Sequence, residues 1–167
     1  RRQTTINLDI TRYVIEELTG NLETDASLWE ACRHKDLTQP VKQFIYKSLR
    51  GAFKIGDFWT GIPNYKQRSR CPICTEDTES MEHILTECGK SHQNLLWSLA
   101  EEIRPDSKYQ WPDINIGMIL GCSAITLPPG NSNCDNSPET EKTNLSAEKT
   151  GKARLPRILI SETAHLI

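Results

Sequence analysis

The chain has 167 residues, 37% hydrophobic and 25% charged, with a formal net charge of −2. That is about one domain's worth of chain with a modest core. No apolar run reaches the ~18 residues that a bilayer span needs, and none reads as a secretory h-region.

In chain order, residues 9–19 carry the first helical pattern, with Asp9 as a cap, Ile10, Val14 and Leu18 four apart, and Gly20 as the stop. A short second helix is expected over 27–34, where Ser27 precedes Glu30 at capping-box spacing. The third starts after Thr38, with Pro40 in its first turn. Val41, Phe44, Ile45, Leu49, Ala52 and Phe53 form its apolar stripe, and Gly56 is its expected stop. On another face of the same helix Lys42, Tyr46, Arg50 and Lys54 repeat every four residues. An aromatic, turn-rich stretch follows, Phe58 to Tyr65, for which core positions are expected of Phe58 and Trp59. It runs into Lys66, Arg68 and Arg70.

The strongest chemical signal comes next. Cys71, Cys74, His83 and Cys88 give C-x2-C-x8-H-x4-C. Zinc takes four Cys or His ligands in a tetrahedron, and a C-x2-C turn aims two thiolates at one point. His83 and Cys88 fall on one short helix, capped by Ser80. Five residues make about 1.4 turns, so they share a face only if that helix bends or ends near Cys88. His92 is the alternative to His83. Four protein ligands close the coordination sphere, so the expected zinc is structural and no catalytic residue is assigned. Cys32 and Cys122 read as small core residues and Cys134 as exposed.

Leu95, Leu96, Leu99, Ala100 and Ile103 mark another amphipathic helix, closed by Pro105. A short apolar element, 114–120, ends at Gly121. Residues 126–154 hold no aromatic and many Asn, Ser, Thr, Glu and Lys, and are expected to be a disordered polar insertion. Residues 155–167 read as the start of a C-terminal helix with Pro156 in its first turn. The fold class is therefore mainly α: a small helical domain over 1–125, stapled by a CCHC zinc site at 71–88 and followed by that insertion. The chain opens on Arg1-Arg2 and closes on an apolar Ala164 to Ile167, which leads us to expect a piece of a longer polypeptide.

Several of these segments resemble a known family. Leu28-Trp29-Glu30, Arg33 to Asp36, Phe44 to Leu49, Gly51-Ala52, Cys71-x-x-Cys74, Glu79 to Leu85 and Cys88 are similar to the zinc-binding domain that follows reverse transcriptase in non-LTR retrotransposon polyproteins. Ile119 to Cys122 and Arg157 to Ile167 look like the fungal versions, in which a ribonuclease H domain lies upstream. The resemblance implies a non-catalytic module that works with reverse transcriptase and ribonuclease H domains, inside the cell, in cytoplasm and nucleus.

Charge distribution sharpens the expectation. Residues 33–70 hold nine Lys/Arg against two Asp/Glu, a net of +7, while residues 71–106 hold two against eight, a net of −6. Lys42, Arg50, Lys54, Lys66, Arg68 and Arg70, with Tyr46 interleaved, are candidate contacts to RNA or DNA. The competing expectation is a structural module that docks neighbouring domains, with the two charge blocks cancelling inside one fold. A decayed element remnant is a third.

Overall fold

A computed structural model describes residues 2–75, 78–103, 111–125 and 142–167, the stretch 142–153 by its backbone. The described residues are mainly helical and contain no strand; a lone antiparallel bridge joins Arg70 to Thr78. Seven helices follow in order: α1 Arg2–Thr19, α2 Asp25–Ala31, α3 Gln39–Leu49, α4 Asp57–Thr60, α5 Gln93–Glu102, α6 Ile116–Gly121 and α7 Lys142–Leu166. A 3-10 turn, Lys66–Ser69, and a π turn, His83–Glu87, flank the cysteine loop. Among the described residues no helix is long and apolar enough to cross a membrane.

The centre of the molecule is α6, whose six residues are all buried. Asn115 caps it, its Oδ1 accepting from the Met118 N–H at 2.9 Å. Gly121 is its last residue, where the sequence placed the stop. A Cβ there would stand 3.0 Å from Ile15 Cδ1, and one on Gly117 would stand 2.6 Å from Val14 Cγ2 and 3.0 Å from the Ile10 carbonyl oxygen. The two glycines let α6 lie against the backbone of α1. That crossing sets which face of α1 is buried. Leu8, Thr11 and Ile15 go inside, whereas the expected stripe is left at the margin, with Ile10 and Leu18 exposed. Thr11 is tolerated because its hydroxyl donates to the Asn7 carbonyl at 2.7 Å. The helix also starts at Arg2 rather than Asp9.

Around this pair pack Leu28 and Cys32 of the α2 region, Val41, Ile45 and Leu49 of α3, and Ile160 and Ala164 of α7. The cap of α2 is Thr24, with Ser27 as its reciprocal partner at 3.1 and 3.0 Å, three residues earlier in the box than the sequence suggested. Helix α3 ends at Leu49, not near Gly56. Gly51 adopts φ +60, its N–H bonds the Ser48 carbonyl, and the Ala52 N–H bonds the Lys47 carbonyl, both at 2.9 Å. This double closure is a Schellman motif. Phe53 and Lys54 therefore leave the helix, and Ala52 is exposed.

The C-terminal helix begins at Lys142 rather than 155, so Pro156 lies inside it. The backbone of 142–154 is thus helical where a disordered insertion was expected; its Lys, Ala, Glu and Leu are good helix formers. Residues 126–141, the rest of that expected insertion, and Cys134 with them, lie outside the described residues. Helix α7 is fastened by a buried ion pair: Arg157 Nη1 donates to Asp36 at 2.7 Å, and Arg154 Nε lies 2.9 Å from the same carboxylate, whose side chain is 2% exposed. Cys32 and Cys122 are buried, as expected. Burial pushes their thiols up to about 11 and about 12, so both stay protonated.

Candidate metal centre

The peptide after the 3-10 turn doubles back on itself. Arg70 pairs with Thr78, the Glu79 N–H bonds the Ser69 carbonyl at 2.8 Å, and the Thr75 N–H bonds the Cys71 carbonyl at 2.9 Å. Thr75 takes φ +63, the left-handed conformation that turns the chain out of the knuckle. Cys71 and Cys74 thereby point into one space from a single tight turn.

The second pair of candidate ligands comes from the π turn. Ser80 caps it, its hydroxyl accepting from the His83 N–H at 2.9 Å, as its position suggested. The Cys88 N–H then bonds the His83 carbonyl at 2.9 Å, an i to i+5 closure. An α-helix would carry residues five apart to different sides, but the wider π turn brings them back into line. This is how x4 spacing aims both side chains at one point. Leu85, on the opposite face, is buried in the main core, and Trp97 Nε1 donates to its carbonyl at 2.8 Å, tying the turn to α5.

Cys71, Cys74, His83 and Cys88 are 3%, 5%, 4% and 1% exposed. Their ligand atoms all lie within 4.8 Å of one another, an arrangement that could hold a metal ion. Cys71 Sγ stands 3.8 Å from Cys88 Sγ, and Cys74 Sγ stands 3.4 Å from His83 Nε2. A disulfide needs sulfurs ~2.05 Å apart, so these thiols are not paired with each other. His92 occupies the N-cap position of α5 and is exposed, outside the cluster.

The seven candidate nucleic-acid residues fall into two groups. On α3, Tyr46 is exposed and packs tilted against Trp29 with centroids 5.4 Å apart, and Arg50 donates to its hydroxyl at 2.9 Å; Lys42 is half-buried on the same helix. Lys54 does not join this face, because α3 has already ended. Its ammonium lies over the Phe58 ring at 5.5 Å. Arg68 rests on two rings, 5.2 Å from Trp59 and 5.0 Å from Tyr65, while Lys66 and Arg70 are exposed beside it. Phe58 and Trp59 are not in the core as expected. Phe58 is exposed, and half-buried Trp59 is held on the surface by its Nε1–H, which donates to the Lys54 carbonyl at 2.7 Å.

Among the described residues, none of these six cations lies within ion-pair distance of a carboxylate. The sequence reading missed Tyr65, Pro72, Thr75 and Glu79, which surround Arg68 and Arg70. Their spacing has no helical or strand period, so only the adjacency of an aromatic run to a basic one signalled them. Burial raises the Glu79 carboxyl above its ordinary value, against the opposing charge of His83.

Compared with family models, curated proteins and solved structures, the chain has no match.

Proposed function

We propose that this chain is a non-catalytic, zinc-stabilised nucleic-acid-binding module of a fungal non-LTR retrotransposon polyprotein, working beside reverse transcriptase and ribonuclease H domains. The observation that carries the binding role is the unpaired basic surface. Charges that cancelled internally would show as ion pairs between the basic and acidic blocks, and the six cations named above make none among the described residues. Lys and Arg left in this state attract phosphate with a strength that falls steeply with salt.

Zinc is the metal that the donor set favours. A tetrahedron with Zn–S near 2.3 Å has S···S edges of about 3.8 Å, and with Zn–N near 2.05 Å its S···N edges are about 3.5 Å. The sulfurs of Cys71 and Cys88 at 3.8 Å, and the Cys74–His83 pair at 3.4 Å, fit those edges. Three thiolates and an imidazole also select a soft-to-borderline ion over magnesium or calcium. Four such ligands leave no open position for an activated water, which supports a structural role.

The test is fluorescence-anisotropy binding of the metal-loaded chain to single-stranded RNA and to duplex DNA across a salt series. We expect log K to fall with log salt by several units per decade. Replacing Lys66, Arg68 and Arg70 together with Ala is expected to reduce the slope on single strands by about two units, with metal content unchanged. No binding at low salt would sink the proposal. It would favour the docking reading, for which α5 and its C-cap offer Leu95, Leu99 and Ile103, four residues apart and 57%, 43% and 63% exposed.

A further inference from the structure

An open cavity of about 470 Å³ lies between the 3-10 turn and the metal loop, lined by Trp59, Arg68, Arg70, Pro72, Thr75 and Glu79. That is within the size range of small-ligand sites. Its lining carries two chemistries. Two guanidiniums, those of Arg68 and Arg70, have no carboxylate partner among the described residues. Arg68 is held between two rings, its guanidinium carbon 5.2 Å from the Trp59 centroid and 5.0 Å from that of Tyr65. An arginine packed in this way loses little freedom on binding a phosphate.

Glu79 shares that lining. Its backbone is fixed at both ends. The N–H bonds Ser69, and the carbonyl oxygen packs so closely on Gly56 that a Cβ there would lie 2.0 Å from it. Its half-buried carboxylate makes no hydrogen bond or ion pair among the described residues, though two arginines line the same cavity. A carboxylate that shares a cavity with phosphate-binding groups repels a second phosphate and accepts only donors. A ligand satisfying both chemistries is anionic at one end and a hydrogen-bond donor at the other.

A nucleotide meets that description. Guanine meets it best: its N1–H and N2 amino group are two parallel donors on one edge, which a carboxylate accepts together. Adenine and cytosine present one amino group beside an acceptor, and uracil one N–H between two carbonyls. The guanine edge is free only when the base is unpaired. We propose that this cavity is a subsite for one unpaired guanosine of a bound strand, its phosphate on Arg68 and Arg70 and its Watson–Crick edge on Glu79. The inference rests on the nucleic-acid reading above and adds the base and the strandedness to it.

The test uses the full metal-loaded chain and a short fluorescein-labelled oligouridine carrying one central G, A, C or inosine. The G strand is expected to bind about tenfold tighter than the A or C strand. Inosine, which lacks the 2-amino group, should lose most of that advantage. Glu79→Gln, whose side chain offers one acceptor and one donor, should abolish the preference with metal content unchanged. Arg68→Ala should weaken all four strands alike. Equal affinity of the wild-type chain for the four strands, or a G preference that survives Glu79→Gln, overturns the inference while leaving the nucleic-acid reading intact. Failure to bind any strand at low salt overturns both.

Discussion

Single residues decide whether the metal loop can form at all. Gly56 is the sharpest case. It holds φ +49, which side chains rarely adopt, and its missing Cβ is the space in which the Glu79 carbonyl sits. Gly56→Ala combines backbone strain with a clash against a main-chain oxygen, and we expect a loss of roughly 2–4 kcal/mol. Thermal melts would show the loss, and an unchanged midpoint would refute the assignment. The ligands are a separate matter. Cys74→Ser or Cys88→Ser should abolish metal binding and unfold the region around 65–95. Native mass spectrometry reads the first effect, and near-ultraviolet circular dichroism reads the second through Trp59. One metal per chain with an unaltered spectrum in either variant would disprove the ligand set. Residue identity made the four candidate ligands legible in the sequence as a group that could hold a metal. Gly56 was legible only as a stop, because what it makes room for lies 23 positions away, at Glu79.

Among the elements, the crossing of α1 and α6 depends on absent side chains. Gly117→Ala gains helix propensity yet places a methyl 3.0 Å from the Ile10 carbonyl oxygen and 2.6 Å from Val14. Overpacking against a helix backbone costs about 1–3 kcal/mol. Gly121→Ala meets only side-chain tips at 3.0–3.1 Å and should cost less. Denaturant midpoints of the two variants should follow that order, and the reverse order would show that α6 does not approach α1 through Gly117. The stripe of α1 was misread for the same reason. Periodicity alone made Ile10, Val14 and Leu18 the inner face, but the glycines of α6 draw the adjoining face inward. The start of α3 was legible because Thr38 and Pro40 are local signals. Its end was not, because Gly51 and Gly56 both look like stops, and only the Schellman closure chooses between them. The π turn was legible as a requirement, that His83 and Cys88 need a bend, but not as a geometry.

The whole molecule is closed by the pairing of Asp36 with α7. Burial alone would raise the Asp36 carboxyl, but the Arg157 hydrogen bond and the charges of Arg154, His34 and Arg157 outweigh it and hold it below its ordinary value. A carboxylate so held contributes stability that is complete above about pH 4 and is lost as pH falls through the lowered value. His34 acts in the same direction. Burial first, then the Arg157 charge, lower its pKa against the opposing charge of Asp36, and its Nδ1 accepts from the Asp36 N–H at 3.2 Å. As pH drops below about 6.5 the unfolded chain takes up a proton that the folded one resists. Asp36→Asn should cost about 3 kcal/mol at pH 7, by leaving Arg157 buried without its partner. It should also remove the acid step expected of the wild-type chain below about pH 4. A variant as stable as wild type at pH 7 would mean that α7 docks without this pair. Nothing local announced it, since Asp36 and Arg157 are 121 residues apart.

The short ladder between residues 69–70 and 78–79 has a thermodynamic consequence. Among the described residues it is the main-chain bonding that ties the basic turn to the cysteine knuckle, so an ion that ordered the knuckle would also order the arginines. On the proposed function, strand and ion would act as effectors of each other, although no phosphate need approach the ion. Linkage makes the coupling reciprocal: whatever factor the ion adds to affinity for a strand, the strand returns to affinity for the ion.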